Sequence, residues 1–126
     1  MSTVATGCEL KAERGPDWLR LKILGIHSGE TEGVPLAEEV WALVERHMVH
    51  RLVLELDEVR MLDSHLIGEL IVLHRRMSER GGLMRLCGLS PYNRCILHRC
   101  RLDDRFLAYE TWEEAVLGCQ RPRQPR

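Results

Sequence analysis

The apolar and polar residues of this chain follow two periods, which predict strands and helices in alternation. Residues 18–25 alternate apolar and polar side chains, the pattern of a strand covered on one face. Residues 52–56 are a short aliphatic run, typical of a central strand in a parallel sheet. Residues 65–77 instead carry apolar side chains at helical spacing, which predicts a helix with one broad buried face. That face consists of Leu66, Ile67, Leu70, Ile71, Leu73, His74 and Met77.

Further elements are indicated in the first half of the chain. Residues 7–14 are compatible with a first strand, and residues 27–33, rich in Gly, Ser and Thr, predict a loop. Pro35 is suited to the first turn of a helix, because the N–H that proline lacks has no partner there. The apolar stripe of that helix would be Leu36, Val40, Leu43, Val44 and Met48.

Capping residues mark the elements of the second half. The Gly-Gly pair at 81–82 ends the long helix, since glycine accepts the left-handed geometry of a C-terminal cap. Residues 83–87 predict another strand, and Ser90 caps the helix that follows it. Residues 105–109 predict a short last strand before a last helix capped by Thr111.

These elements follow the order strand, strand, helix, and then strand–helix three times. This alternation predicts an α/β fold with a mixed, mostly parallel sheet of four to five strands, an N-terminal antiparallel hairpin and about four helices. With 126 residues, the chain has the length of one domain. We expect that domain to span residues 1–118 and to be followed by a basic, flexible tail at 119–126.

Composition and charge indicate a folded domain that does not bind nucleic acid. The chain has 44% hydrophobic and 29% charged residues, as a folded soluble domain does. Residues 119–126 hold three of the 18 Lys and Arg residues and no acid, so the rest of the chain is mildly acidic. This balance argues against direct binding of nucleic acid.

Hydropathy and cysteine usage indicate the compartment. No apolar run approaches the roughly 20 residues that cross a bilayer, and the N-terminus lacks the regions of a signal peptide. We therefore expect a cytoplasmic protein without a membrane span. The cysteines are odd in number and scattered, which favours reduced, mostly buried thiols over a disulfide framework. They are Cys8, Cys87, Cys95, Cys100 and Cys119.

The most informative chemistry lies where the central strand leads into the long helix. Asp63 and Ser64 stand at the predicted start of that helix, at the sheet edge where open α/β proteins place their functional groups. A phosphate on the Ser64 hydroxyl would lie beside the backbone N–H groups and the positive dipole end of the helix. The pattern therefore fits a phosphorylation switch, but the residues alone favour the alternative, a simple helix cap.

Catalytic and metal-binding interpretations are disfavoured. Residues 63–65 read Asp-Ser-His, but consecutive residues at a helix start point about 100° apart and cannot form a relay. His47 with His50, and the Cys and His residues at 95–100, lack the paired spacings of a zinc site. No Gly-rich phosphate loop follows a strand. We expect no enzymatic activity of these types, no metal and no cofactor.

Three motifs together with the order of elements point to a known family. The first is Leu56-Asp57-x-Val59-x-x-Leu62-Asp63-Ser64-x-x-x-Gly68. The second is Gly81-Gly82 followed by Gly88-Leu89-Ser90-Pro91, with Arg94 and Leu97 after it. The third is Phe106 before the acidic stretch Glu113-Glu114-Ala115. Over residues 8–117 the chain resembles the STAS domain, and more narrowly the bacterial anti-sigma factor antagonists.

This resemblance implies a function without catalysis. In such proteins the unmodified form binds an anti-sigma factor that is also a serine kinase, and thereby releases a sigma factor. The kinase phosphorylates a serine that corresponds to Ser64, which switches binding off, and a phosphatase reverses the change. The resemblance leaves open whether the chain forms a homodimer.

The same resemblance implies a partner-binding surface around the start of the long helix. The expected residues are Ser28, Asp63, His65, Gly68, Glu69, Ser90 and Arg94. The family usually has small residues where this chain has His65 and Leu66, and bulkier ones would suit a permanent interface. The alternative is therefore a STAS scaffold or an accessory subunit of a stress-signalling assembly or a lipid-transport ATPase.

Overall fold

Six strands and four helices occur in the residues that the computed structural model describes, which are 2–5, 8–24 and 36–118. The strands are β1 (Ser2–Ala5), β2 (Cys8–Arg14), β3 (Leu19–Leu24), β4 (Arg51–Glu55), β5 (Leu83–Cys87) and β6 (Ala108–Tyr109). The helices are α1 (Leu36–His47), α2 (Ser64–Glu79), α3 (Pro91–Arg99) and α4 (Trp112–Leu117).

Strands that follow one another in the chain are also neighbours in the sheet, in the order β1 to β6. The pairs β1–β2 and β2–β3 are antiparallel. The pairs β3–β4, β4–β5 and β5–β6 are parallel, with a helix in each connection. The predicted α/β fold, with a mixed sheet and an antiparallel N-terminal hairpin, is confirmed.

Two strands differ from the prediction. β1 raises the number of strands to six; its four residues are too few to show a period, and it forms by pairing with β2. β6 is shorter than the predicted strand at 105–109. Residues 103–105 form a turn, and the Phe106 N–H donates to the Leu102 carbonyl at 2.8 Å, so the strand begins only after Phe106. The Phe106 side chain is buried in the core.

The main hydrophobic core lies on one face of the sheet. Side chains from α1, α2 and α3 pack there against inward-facing residues of β2 to β5, such as Leu52 and Leu54. Each buried aliphatic side chain contributes about 1.5–3 kcal/mol relative to an exposed one, so this face fixes the three helices to the sheet. The predicted buried face of α2 is confirmed at Leu66, Leu70, Leu73 and Met77.

The opposite face of the sheet is covered by α4. A smaller cluster joins this helix to the sheet through Trp18, Val53, Cys87, Tyr109 and Ala115. Burial, with a further contribution from the Glu55 carboxylate, raises the pKa of Cys87 to about 12, so this thiol stays protonated at neutral pH.

The prediction of mostly buried thiols is wrong for α3. Cys95 and Cys100 are free and exposed, because Asn93 and Leu97 occupy the buried side of that short helix. The predicted loop at 27–33, Pro35 and the predicted tail at 119–126 lie outside the described residues. Within the described parts of the chain, no helix has the length and hydrophobicity to cross a membrane.

Candidate functional site

The loop between β4 and α2 carries the residues that the sequence analysis singles out, and its own apolar side chains anchor it. Leu56, Val59 and Leu62 are buried, whereas Met61 between them is exposed. The Val59 N–H donates to the Leu56 carbonyl at 3.1 Å, which closes a tight turn directly after the strand. The loop is therefore a packed segment that presents selected side chains to solvent.

Asn93 of α3 fixes this loop from one side. Its side chain is fully buried, its Oδ1 accepts from the Leu62 N–H at 3.0 Å, and its Nδ2 donates to the Val59 carbonyl at 3.0 Å. Two backbone groups that would otherwise be buried without partners are satisfied by one amide. The position of α3 and the shape of the loop are thus coupled.

Lys22, near the end of β3, fixes the loop from the other side. Its Nζ lies 3.1 Å from Asp57 Oδ2 and 3.4 Å from Glu58 Oε2. The hydrogen bond to Asp57 is the main cause that raises the pKa of Lys22. Gly88 completes the packing: its φ is +74°, and a Cβ there would come within 3.0 Å of the Asp57 Cβ.

Asp63 and Ser64 begin α2 in different roles. Asp63 is the N-cap, and its Oδ1 accepts from the Leu66 N–H at 2.9 Å. Ser64 is the first helical residue, and its side chain is exposed. The cap interpretation of this pair therefore applies to Asp63, while the Ser64 hydroxyl stands at an accessible helix start.

The next two residues point to different environments. His65 is half-buried, whereas Leu66 is 2% exposed and belongs to the main core. The expectation that the bulk of Leu66 affects a docking surface is therefore wrong, because a helix turns the third residue of its first turn toward the sheet here. Leu66 therefore gives no support to a permanent interface.

Gly68 and Glu69 follow one turn later. Gly68 is exposed, and a Cβ built on it would meet no atom within 4 Å, so the packing of the described residues does not require glycine there. The half-buried Glu69 accepts from the Ala37 N–H at its Oε1, at 3.2 Å. This carboxylate satisfies a backbone donor in the first turn of α1 and ties α1 to α2.

Two expected partner-binding residues lie at the start of α3, and one lies outside the description. Ser90 is the N-cap of α3, and its Oγ accepts from the Asn93 N–H at 3.1 Å. Arg94 is half-buried on the first turn. Because Asn93 joins α3 to the loop before Ser64, these residues belong to the same end of the molecule. Ser28 is not among the described residues.

A comparison with family models decides the family. Residues 26–115 match the model of the STAS domain. The chain belongs to the STAS family. No curated protein matches the sequence at a significant level.

Solved structures support this STAS fold at low sequence identity. An anti-sigma factor antagonist from Mycobacterium paratuberculosis has a TM-score of 0.73 at 20% identity, covering 92% of this chain and 97% of its own. An anti-sigma factor antagonist (STAS) domain protein from Planctomyces limnophilus has a TM-score of 0.71 at 19% identity, covering 86% and 96%. The Bacillus cell fate determinant SpoIIAA in its phosphorylated form has a TM-score of 0.63 at 16% identity, covering 86% and 97%.

Three residues at the site of this STAS domain are not predicted from the sequence. Asn93 positions the loop, although its polar side chain near a helix start suggests an exposed residue. Met61 and Tyr92 are large, exposed side chains beside the Ser64 region, and Tyr92 Oη lies 3.7 Å from Met61 Sδ. The chain offers no local signal for this contact, because the two residues are 31 positions apart.

The described residues do not bring metal ligands together. No group of three or more His, Cys, Asp and Glu side chains placed to hold an ion occurs among them. His98, one of the residues considered as a ligand, instead contacts Asp103, with Nδ1 to Oδ2 at 2.9 Å. This contact holds the pKa of Asp103 below its usual value.

Proposed function

We propose that this STAS domain is an anti-sigma factor antagonist that docks on a serine-kinase anti-sigma factor, and that phosphorylation of Ser64 switches the docking off. The observation that carries the proposal is the exposed Ser64 side chain at the first residue of α2. Asp63 provides the cap that the Leu66 N–H needs. The Ser64 hydroxyl is therefore available for modification without loss of the capping hydrogen bond.

A phosphate at this position would be tolerated by the domain itself. It adds about −1.5 to −2 charges at neutral pH, and it would lie at the positive end of a helix of 16 residues. The phosphorylated form of the Bacillus SpoIIAA, which shares the fold, supports the compatibility of this fold with phosphorylation. The switch thus acts on docking and leaves folding intact.

The same phosphate would oppose an interface. Asp63 already places a carboxylate beside Ser64, so a partner that covers this helix start would have to desolvate two negative groups together. A penalty of a few kcal/mol reduces affinity by orders of magnitude, since each 1.4 kcal/mol corresponds to about tenfold. Docking and phosphorylation at Ser64 are therefore mutually exclusive in this proposal.

The surface that the partner would cover is formed by α2 and α3. Ser64 and Gly68 lie one turn apart on the exposed side of α2, and the open space at Gly68 allows the partner to approach the helix backbone. His65 and Arg94 are half-buried and border this side. Ser90 contributes mainly as the cap that fixes the start of α3.

The test uses the ATP-dependent serine-kinase anti-sigma factors encoded in the same genome, each purified and mixed with the chain. We expect one of them to bind the parent and Ser64→Ala, and to transfer phosphate to the parent at Ser64, as mass spectrometry of peptides would show. Ser64→Asp should weaken binding by at least about a hundredfold, which corresponds to about 2.8 kcal/mol. Isothermal titration calorimetry measures these affinities.

Ser78→Asp is the matched control, because it makes the same change at an exposed position near the other end of α2. It should bind like the parent. Tight binding of Ser64→Asp, or transfer of phosphate to another residue, would contradict the proposal. Light scattering on the same samples addresses the scaffold alternative: a stable, large assembly of the chain with itself or with an ATPase would favour it.

A further inference from the structure

Met61 and Tyr92 form an exposed apolar pair beside the proposed switch. Met61 is 45% exposed and belongs to the loop that leads into α2, three residues before Ser64. Tyr92 is 59% exposed and is the second residue of α3. Tyr92 Oη lies 3.7 Å from Met61 Sδ, so the two side chains form one continuous patch from two elements.

We propose that this pair is the apolar anchor on which the kinase-type partner docks, separate from the group that phosphorylation changes. The inference rests on the proposed function and adds the residues that supply affinity. Ser64 would decide whether docking is allowed, and Tyr92 with Met61 would decide how tight it is. Tyr and Met are enriched in protein interfaces, where tyrosine often carries a large share of the binding energy.

A single buried residue fixes the backbone near both members of the pair. Asn93 follows Tyr92 in α3, and its amide bonds Val59 and Leu62, which stand on either side of Met61. The Asn93 side chain therefore fixes the backbone next to both Met61 and Tyr92. A backbone that is already fixed adds little to the conformational entropy lost when a partner covers the pair.

The position of the pair and the charge next to it indicate which kind of partner surface binds there. Met61 precedes Ser64 by three residues, and Asn93 ties α3 to the same loop, so we place the pair within the surface that a partner bound at Ser64 covers. Arg60 precedes Met61 and is exposed, which places one cationic side chain next to the pair along the chain. An apolar side chain of the partner with one carboxylate next to it fits the exposed pair and Arg60.

Other exposed apolar residues differ from this pair. Leu117 is 67% exposed at the end of α4, on the face of the sheet opposite to α1, α2 and α3. Met48 is 83% exposed directly after α1. Single exposed apolar residues are ordinary in soluble proteins, and Leu117 serves here as the internal control.

The experiment measures the affinity of variants for the anti-sigma factor kinase that binds the parent chain. Tyr92→Ala should weaken binding by at least about tenfold, which corresponds to about 1.4 kcal/mol, and Met61→Ala by a smaller factor. Tyr92→Phe should retain most of the affinity, because the ring rather than the hydroxyl fills the partner surface. Leu117→Ala should bind like the parent.

A double-mutant cycle separates the anchor from the switch. Tyr92→Ala should weaken binding by the same factor in the parent and in Ser64→Ala, since the two groups act independently. The cycle of Tyr92→Ala with Met61→Ala should show coupling, because these side chains touch. Circular dichroism and thermal melting establish that each variant is folded.

Two outcomes would overturn the inference, and they are distinguishable. If Tyr92→Ala binds within about twofold of the parent while Ser64→Asp still abolishes docking, the anchor is wrong and the proposed function stands. If no purified kinase binds the parent chain, the proposed function and the anchor fail together.

Discussion

Met48, Gly81 and Arg101 stand at the same position, just after the ends of α1, α2 and α3. Their φ angles are 54°, 72° and 57°, all in the left-handed region. In each case the next residue donates its N–H back to a carbonyl five residues earlier: Val49 to Val44, Gly82 to Met77, and Leu102 to Leu97. This is the Schellman arrangement, which normally has glycine at the left-handed position.

The sequence reveals one of these three helix ends. The glycine at 81 predicts the end of α2 correctly, because glycine accepts a positive φ without a steric cost. Met48 continues the apolar spacing of α1 and suggests a buried residue, but the chain has already left the helix and the side chain is 83% exposed. A non-glycine residue in this conformation carries no pattern that predicts it.

Met48→Gly should therefore stabilise the fold. Removing the left-handed strain of a side chain is worth about 1–2 kcal/mol, and the greater freedom of glycine in the unfolded chain costs about 0.4–1 kcal/mol. The expected net gain in the free energy of unfolding is about 0.5–1 kcal/mol, measured by urea denaturation. Gly81→Ala is the reverse control and should lose about 0.5–1 kcal/mol from the same two contributions. A loss of stability in Met48→Gly would refute this account of the helix end.

The shape of the loop before α2 depends on another element, α3. Sequence reasoning locates Asp63 and Ser64 at the helix start, because capping residues act within a few positions of the chain. It cannot identify Asn93, since its bonds to Val59 and Leu62 join residues 34 and 31 positions away. The sequence thus predicts the site residues that act on neighbouring positions of the chain. It does not predict the residues that act through packing between elements.

Asn93→Ala should destabilise the domain more than the loss of a helix cap does. It removes two buried hydrogen bonds and leaves the Leu62 N–H and the Val59 carbonyl without their partner, at about 1–3 kcal/mol for each buried group. We expect a loss of about 2–4 kcal/mol in the free energy of unfolding. Hydrogen exchange at the Leu62 amide should accelerate accordingly.

Ser90→Ala provides the comparison within the same helix. It removes only the capping bond to the Asn93 N–H and should cost about 1 kcal/mol. If Asn93→Ala costs no more than Ser90→Ala, the loop does not depend on the Asn93 side chain.

The whole molecule is organised by a sheet whose two faces have different chemistry. One face buries an aliphatic core, and the alternation of strands and helices is sufficient to predict that layer. On the other face, aromatic rings pack against arginine side chains. The Arg85 guanidinium lies 5.3 Å from the centre of the Trp18 ring and also donates to the Ala115 carbonyl at 2.8 Å. This second layer combines residues from separate strands and α4, so no periodicity within one segment predicts it.

The stability of the whole molecule should depend on pH through His74. The half-buried ring of His74 contacts Phe106 edge-on, with the ring centroids 5.4 Å apart. Burial lowers the pKa of His74 below 6.5, and the positive charge of Arg105 lowers it further. The unfolded chain then binds a proton at a higher pH than the folded one, so the free energy of unfolding should fall as the pH drops below about 6.5. His74→Gln should show a shallower decline than the parent between pH 7.5 and 5 in urea denaturation. Equal slopes for the parent and His74→Gln would show that His74 titrates alike in both states.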